Sequence, residues 1–237
     1  MKLSDFTTLT FDCYGTLIDW ESGLLAELRS WVAKGATHPS DDDLLAAFGR
    51  EESRCQAATP GSLYPEILAD AFLAMAKQWI WPASQDDAWA FGASVGRWPA
   101  FADSAASLQY LKRHYKLVIL SNVDRASFAH SNEKLKVDFD RVFTAQDIGS
   151  YKPDRRNFDY LLRELSALGV GKEQILHTAQ SLFHDIVPAK ALGLKTMWVN
   201  RRKGREGGGA TPAASVRPDA EVASLADLVA LHRAEAG

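Results

Sequence analysis

The sequence predicts an α/β protein: a parallel sheet covered by helices on both faces, with a helical subdomain inserted after the first strand. Three observations predict it. Short β-rich apolar runs are separated by helical patterns, the order expected of strands joined by right-handed crossovers. The stretch from Trp20 to Trp98 holds no convincing run of this kind. The first run ends in an acidic residue and a Gly-Thr turn, which aims a carboxylate at the open end of the sheet.

Taken in order, Phe6 to Cys13 closes on Tyr14-Gly15-Thr16 and reads as a buried strand entering a tight turn. From residue 20 to 98, Ala, Leu and Trp recur at helical spacing, broken at His38-Pro39-Ser40, Thr59-Pro60-Gly61 and Trp81-Pro82. Six of the seven tryptophans (20, 31, 79, 81, 89 and 98) fall there, so this part should hold its own apolar core. It could be packed for stability alone. Its place directly after the first strand favours a cap that closes over the strand ends. The expected division is therefore residues 1–19 and 99–237 as an α/β core, with 20–98 as a helical cap. Beyond it, Ser104 to His114 sets Ala105, Leu108 and Leu111 on one helix face, and Asn157 to Leu168 does so with Leu161, Leu162 and Leu165. Three more strands are expected at Leu117–Ser121, Ile175–Ala179 and Lys195–Val199. Arg201, Arg202, Lys203 and Arg205, followed by Gly207-Gly208-Gly209, read as a solvated surface loop, and Leu225 to Ala234 as a final helix.

Charge and composition exclude several classes. With 27 basic against 30 acidic residues, a net charge of -3 favours neither nucleic acid nor an anionic membrane as partner. No stretch reaches the roughly 18 apolar residues of a membrane span, and Met1-Lys2-Leu3-Ser4-Asp5 starts no export signal. Cys13 and Cys55 are too few for a disulfide scaffold or a cysteine zinc site. A cytoplasmic protein acting on a small molecule is expected.

In sheets of this kind ligands bind outside the carboxyl ends of the strands. The residues closing the runs therefore carry the functional signal. Asp12 in Phe11-Asp12-Cys13-Tyr14-Gly15-Thr16-Leu17-Ile18-Asp19 and the pair Ser121-Asn122 close such runs; Lys152 in Tyr151-Lys152-Pro153-Asp154 and Asp185 at the end of Thr178-Ala179-Gln180-Ser181-Leu182-Phe183-His184-Asp185 lie farther along the chain.

In this order the four segments resemble the motifs of the haloacid dehalogenase-like hydrolase superfamily, and within it the type II L-2-haloacid dehalogenases, over nearly the whole chain. The resemblance implies a Rossmann-like core beneath a helical cap. It implies that Asp12 is the nucleophile, oriented by Thr16, with Lys152 neutralising the carboxylates and Asp185 positioning the hydrolytic water. Ser121 and Asn122 would contact the substrate carboxylate and line the halide site. A cap arginine, Arg50 with Arg54 as competitor, would attract the leaving halide. A homodimer is expected on the same analogy.

Where phosphatases of the superfamily carry a second Asp, this chain has Tyr14; where they show Gly-Asp, it has Ala179-Gln180. A departing halide needs no proton, and magnesium favours anionic oxygens. The expectation is therefore a hydrolytic dehalogenase of short 2-haloacids or haloacetates that uses no metal and no cofactor. A magnesium-dependent phosphatase and a binding module that has lost turnover are the alternatives. The chain departs from the family at Phe158, commonly Tyr, at Leu182, often Asn, and at His184, usually a flat aromatic. Imidazole can donate an N–H or carry a positive charge, so His184 is read either as a donor to the departing halide, fluoride above all, or as a packing residue.

Overall fold

A computed structural model of the chain describes residues 1–205 and 208–236. Gly207, part of the expected basic and glycine-rich loop, lies outside the described residues. Six parallel strands form one sheet: β1 (Thr8–Phe11), β2 (Lys116–Ser121), β3 (Arg141–Thr144), β4 (Ile175–Ala179), β5 (Lys195–Val199) and β6 (Ala220–Val222). Their order is β3-β2-β1-β4-β5-β6. Chain direction across the sheet reverses between β1 and β4, where such folds open a crevice at the strand ends. Phe11 sits opposite Ile119 of β2 and Thr178 of β4, so the residues after these strands emerge side by side.

The four strands expected from sequence are present, and β3 and β6 are additions. Both are short and lie at the two edges, where half-exposed backbone dilutes the apolar run on which strand detection depends. Helices α1 (Trp20–Val32), α2 (Asp41–Ala58), α3 (Tyr64–Trp79) and α4 (Gln85–Gly92) follow β1 without an intervening strand. The core helices are α5 (Ser104–Leu111), α6 (Arg125–Leu135), α7 (Ala145–Ile148), α8 (Arg155–Ala167), α9 (Val187–Ala191) and α10 (Leu225–Ala236). Among the described residues no helix is long and apolar enough to cross a membrane.

Cap geometry follows from local sequence. Ser40 and Asp43 form a reciprocal capping box that starts α2, and Ser84 with Asp87 does the same for α4. Phe72 stacks on Phe91 at 4.9 Å and meets Trp31 edge-on at 5.2 Å, while Trp98 meets Tyr64 edge-on. Trp89 alone among the cap's tryptophans is half exposed. These aromatic contacts hold the helices together over the strand ends.

The basic segment corrects its expectation. Arg201 is nearly buried, donates to the Thr16 carbonyl and pairs with Asp103 at 2.9 Å. Arg202 pairs with Glu21 of α1 at 2.6 Å. Gly49 on α2 lets the Ala210 carbonyl approach so closely that a Cβ there would lie 2.0 Å from it. Arg201 and Arg202 are consumed in tying this loop to core and cap, while Lys203 and Arg205 stay exposed as expected; the tie carries Thr211 to the rim of the crevice.

Candidate active site

Asp12 follows β1 directly, and the turn after it depends on Gly15, whose φ of 89° favours glycine. The turn brings Thr16 back so that its hydroxyl donates to Asp12 Oδ2 at 2.7 Å, while Gln180 N–H donates to the Thr16 oxygen at 2.9 Å. Lys152 is buried and spends its three N–H donors on Asp12 Oδ1 at 2.9 Å, Asp185 Oδ1 at 2.7 Å and the Leu120 carbonyl at 2.9 Å. His177 Nε2 lies 3.0 Å from Asp185 Oδ1, with its Nδ1 2.8 Å from the Thr10 hydroxyl.

The electrostatics follow from burial set against this pairing. Burial pushes the Asp12 carboxyl up, Lys152 pulls it back, and the charge of Asp185 adds to the rise. For Asp185 burial works the same way, but Lys152 and His177 outweigh it and hold its carboxyl below the usual range. Lys152 stays ionised because the two carboxylates more than offset its desolvation. Asp12 is thus left more basic than an ordinary aspartate, while Asp185 is kept charged. Asp185 Oδ2 is buried without a partner among the described residues, an acceptor available to water.

Asp185 does not cap the helix after it. Ser181 caps instead: its Oγ accepts His184 N–H at 2.8 Å and lies 3.1 Å from His184 Nδ1, at the start of a π-helical turn over Leu182–Ile186. If Ser181 donates its hydroxyl proton to Nδ1, His184 carries its proton on Nε2, which is buried and unpartnered. Burial pulls the His184 imidazole down to about 4. Of the two charge states considered from sequence, the neutral ring is therefore present near pH 7.

Asp12, Tyr14, Ser121, Asn122, Lys152, His184 and Asp185 all line one cavity of about 30 Å³. A second cavity of about 440 Å³ shares Gln56, Lys152 and His184 with it and is bounded by Tyr151 and Phe183. Within the wall some roles differ from expectation. The Asn122 side chain brackets Lys152, donating to its carbonyl at 2.9 Å and accepting its N–H at 2.6 Å, so it positions the lysine. Ser121 Oγ has no partner among the described residues and remains free for substrate. Tyr14 turns its hydroxyl away to Ser131 Oγ at 2.8 Å and presents its ring. Phe158 is fully buried and meets the His177 ring edge-on at 5.1 Å.

Neither cap arginine reaches the cavity, which corrects the expectation for Arg50. Arg50 is exposed and donates to Gln78 of α3 at 3.4 Å; Arg54 pairs with Glu51 at 2.8 Å. Both lie two residues, roughly 200°, around α2 from Glu52, and Glu52 with Gln56 forms the inward face. Sequence reasoning missed Glu52, Gln56, Tyr64, Trp20, Ser181 and Thr211 in this wall. The i, i+4 spacing of Glu52 and Gln56 amid buried Leu44, Leu45 and Phe48 was the available signal, masked by the charged residues around it.

A magnesium ion, which the phosphatase branch of this fold would require, does not fit the residues present. The Lys152 ammonium occupies the bridge between Asp12 and Asp185, and Gln180 turns its amide oxygen to the Thr211 hydroxyl at 3.2 Å. Among the described residues no group of three His, Cys, Asp or Glu side chains is arranged to hold a metal ion.

The model of the haloacid dehalogenase-like hydrolase family matches residues 6–193. This chain belongs to that family. The match runs from β1 through the cap to the loop before β5, so it takes in Asp12, Lys152 and Asp185. Comparison with curated proteins finds no match. Solved structures that superpose well include the L-2-haloacid dehalogenase from Xanthobacter autotrophicus with chloropropionic acid covalently bound (TM-score 0.78, 19% identity, 96% of this chain and 98% of that one). A defluorinating L-2-haloacid dehalogenase matches with TM-score 0.75 and 19% identity over 96% of this chain and 95% of the other. A putative haloacid dehalogenase-family hydrolase from Bacillus subtilis, bound to magnesium, matches with TM-score 0.74 and 19% identity over 96% and 99%. At such identities these likenesses establish the shared fold.

Proposed function

We propose that this hydrolase is a dehalogenase of short 2-haloacids or haloacetates that works through an ester on Asp12 and uses no metal. The observation that carries the proposal is the bridge of Lys152 between Asp12 and Asp185, beside a Tyr14 whose hydroxyl is committed to Ser131. A carboxylate nucleophile is provided for, but the position two residues beyond it offers no acid to an alcohol leaving group.

In the first step an Asp12 oxygen attacks the carbon bearing the halogen, the carbon–halogen bond breaks, and halide leaves with the electron pair. A positioned carboxylate replaces weakly nucleophilic water, and Thr16 and Lys152 hold it in place. Ser121 Oγ and His184 Nε2, both without a partner among the described residues, are available to the substrate. In the second step water attacks the acyl carbon of the ester and gives a proton to Asp185 Oδ2. Collapse of the tetrahedral intermediate expels the hydroxyacid oxygen, which takes that proton back, and Asp12, left as the carboxylic acid, releases water's second proton to solvent. The small cavity suits substrates of a few heavy atoms.

The defluorinating and covalently trapped relatives lend the reading support, at the distance their identities allow. Halide release from a panel of haloacetates and 2-halopropionates, with and without chelator, tests it. Release untouched by chelator is expected. Phosphate release from an aryl phosphate that requires magnesium, with no halide from any member, would replace it by the phosphatase reading. A single turnover in ¹⁸O-labelled water should leave label in Asp12; label in product alone would refute the ester.

A further inference from the structure

The cap face over Asp12 carries an acid in place of the expected cation. Glu52 is 3% exposed, lines the cavity, and accepts the Tyr64 hydroxyl on Oε1 at 2.7 Å. Its Oε2 has no hydrogen-bond partner among the described residues. Asp12 attacks from the strand ends below. An in-line displacement therefore drives the leaving atom upward, toward the wall that Glu52 and Gln56 form.

We propose that Glu52 is a catalytic residue of the leaving-group side: protonated, it donates a hydrogen bond from Oε2 to the halide as the carbon–halogen bond breaks. The inference rests on the dehalogenase reading above. Electrons and atoms balance without further reagents: Asp12 supplies the electron pair of the new C–O bond, halide takes the old one, and the proton stays on Glu52. A donor aimed where charge develops speeds the step more than it tightens substrate binding. Fluoride concentrates its charge most and gains most.

The charge inventory requires the same protonation state. Asp12 and Asp185 already outnumber Lys152, and an ionised Glu52 would add a third carboxylate against an anionic haloacid. Burial pushes the Glu52 carboxyl up to about 7 despite the Tyr64 hydrogen bond, and the charge of Asp12 adds to the push. Other groups around it are accounted for. On α2 itself Glu51 and Arg54 pair with each other; Glu21 of α1 is held by Arg202; Asp70 of α3 acts on Cys55. From the core, burial keeps the Tyr14 and Tyr151 hydroxyls protonated, Lys152 stays charged, and His184 stays neutral near pH 7. Asp12 must lose its proton to attack and Glu52 must keep its own, which gives a bell-shaped profile.

The test is the pH profile of fluoride and chloride release by the wild type, Glu52→Gln and Tyr64→Phe. The wild type should fall about tenfold per pH unit above the Glu52 ionisation. Glu52→Gln keeps an N–H donor but cannot ionise; it should run about tenfold slower on fluoroacetate at pH 6 and lose the alkaline limb. Tyr64→Phe removes a hydrogen bond that favours the charged form, so its limb should move to higher pH. A packing role would change rates and leave the limb where it was. An alkaline limb persisting in Glu52→Gln, with halide still released, would overturn the role of Glu52 alone and assign the limb to another group. Absence of halide from every substrate would overturn the dehalogenase reading and this inference with it.

Discussion

The rim of the sheet and the face of the cap that closes over it are built on opposite principles. At the rim, Asp12, Thr16, Lys152 and Asp185 are joined by hydrogen bonds of 2.7 to 2.9 Å, and no Lys152 donor is free. Across the cavity, Glu52, Gln56 and Tyr64 share one such bond. The rim is a closed charge network in which removing one member exposes the rest. The cap face is a set of nearly independent side chains, free to differ without disturbing that network. On the proposed function, the rim would carry the chemistry and the cap would select what it acts upon.

The largest expected effect lies at the rim. Asp12→Asn is isosteric and should fold, yet lower halide release by about four orders of magnitude or more. Wild-type rates, after mass spectrometry has excluded deamidation, would dissolve the distinction between the two regions.

At the cap, Glu52 should influence stability as well as turnover. Its carboxyl lies at about 7 in the folded protein, against 4.5 for an ordinary glutamate. The folded state thus binds more protons than the unfolded one between these values. Stability from this group is full below 4.5 and lost as pH rises through about 7, on the order of 3 kcal/mol in all. Glu52→Gln should accordingly be more stable than the wild type at pH 8, with the advantage shrinking toward pH 5. Denaturant melts at the two pH values read it, and an equal offset at both would contradict the assignment.

His184 stands between the regions, on the rim loop but facing both cavities. Replacing it by Phe removes the Nε2 donor, so fluoroacetate turnover should suffer about tenfold more than chloroacetate turnover. Equal losses would make His184 a packing residue. The smallest effects belong to Arg50→Ala and Arg54→Ala, on the outer face of α2. Each should stay within about 0.5 kcal/mol in stability and release halide at the wild-type rate. A specific loss in Arg50→Ala would show that the arginine turns inward during turnover.

The rim was legible because each of its residues sits at a fixed offset from a strand end or a Gly turn, where short-range backbone geometry dictates direction. Asp12, Thr16, Ser121, Lys152, His184 and Asp185 were all named from sequence and line or support one cavity. Asn122 was placed correctly, but its side chain serves the Lys152 loop. Arg50 was misplaced because a helix face is chosen by packing: Gly49 and Phe48 press α2 against Ala210 and the cap aromatics, and that rotation turns Glu52 inward.

By itself, then, the sequence determined the alternation of strands and helices, the helical insert and the acidic strand end. Apolar periodicity and turn chemistry are local properties and are written in adjacent residues. Tertiary structure alone decided that the Leu120 carbonyl joins Asp12 and Asp185 on the Lys152 ammonium, that Arg201 and Arg202 are consumed in ion pairs with core and cap, and that an acid faces Asp12 from above. Those outcomes depend on burial and on distances between segments, and a carboxyl's proton affinity follows from its surroundings.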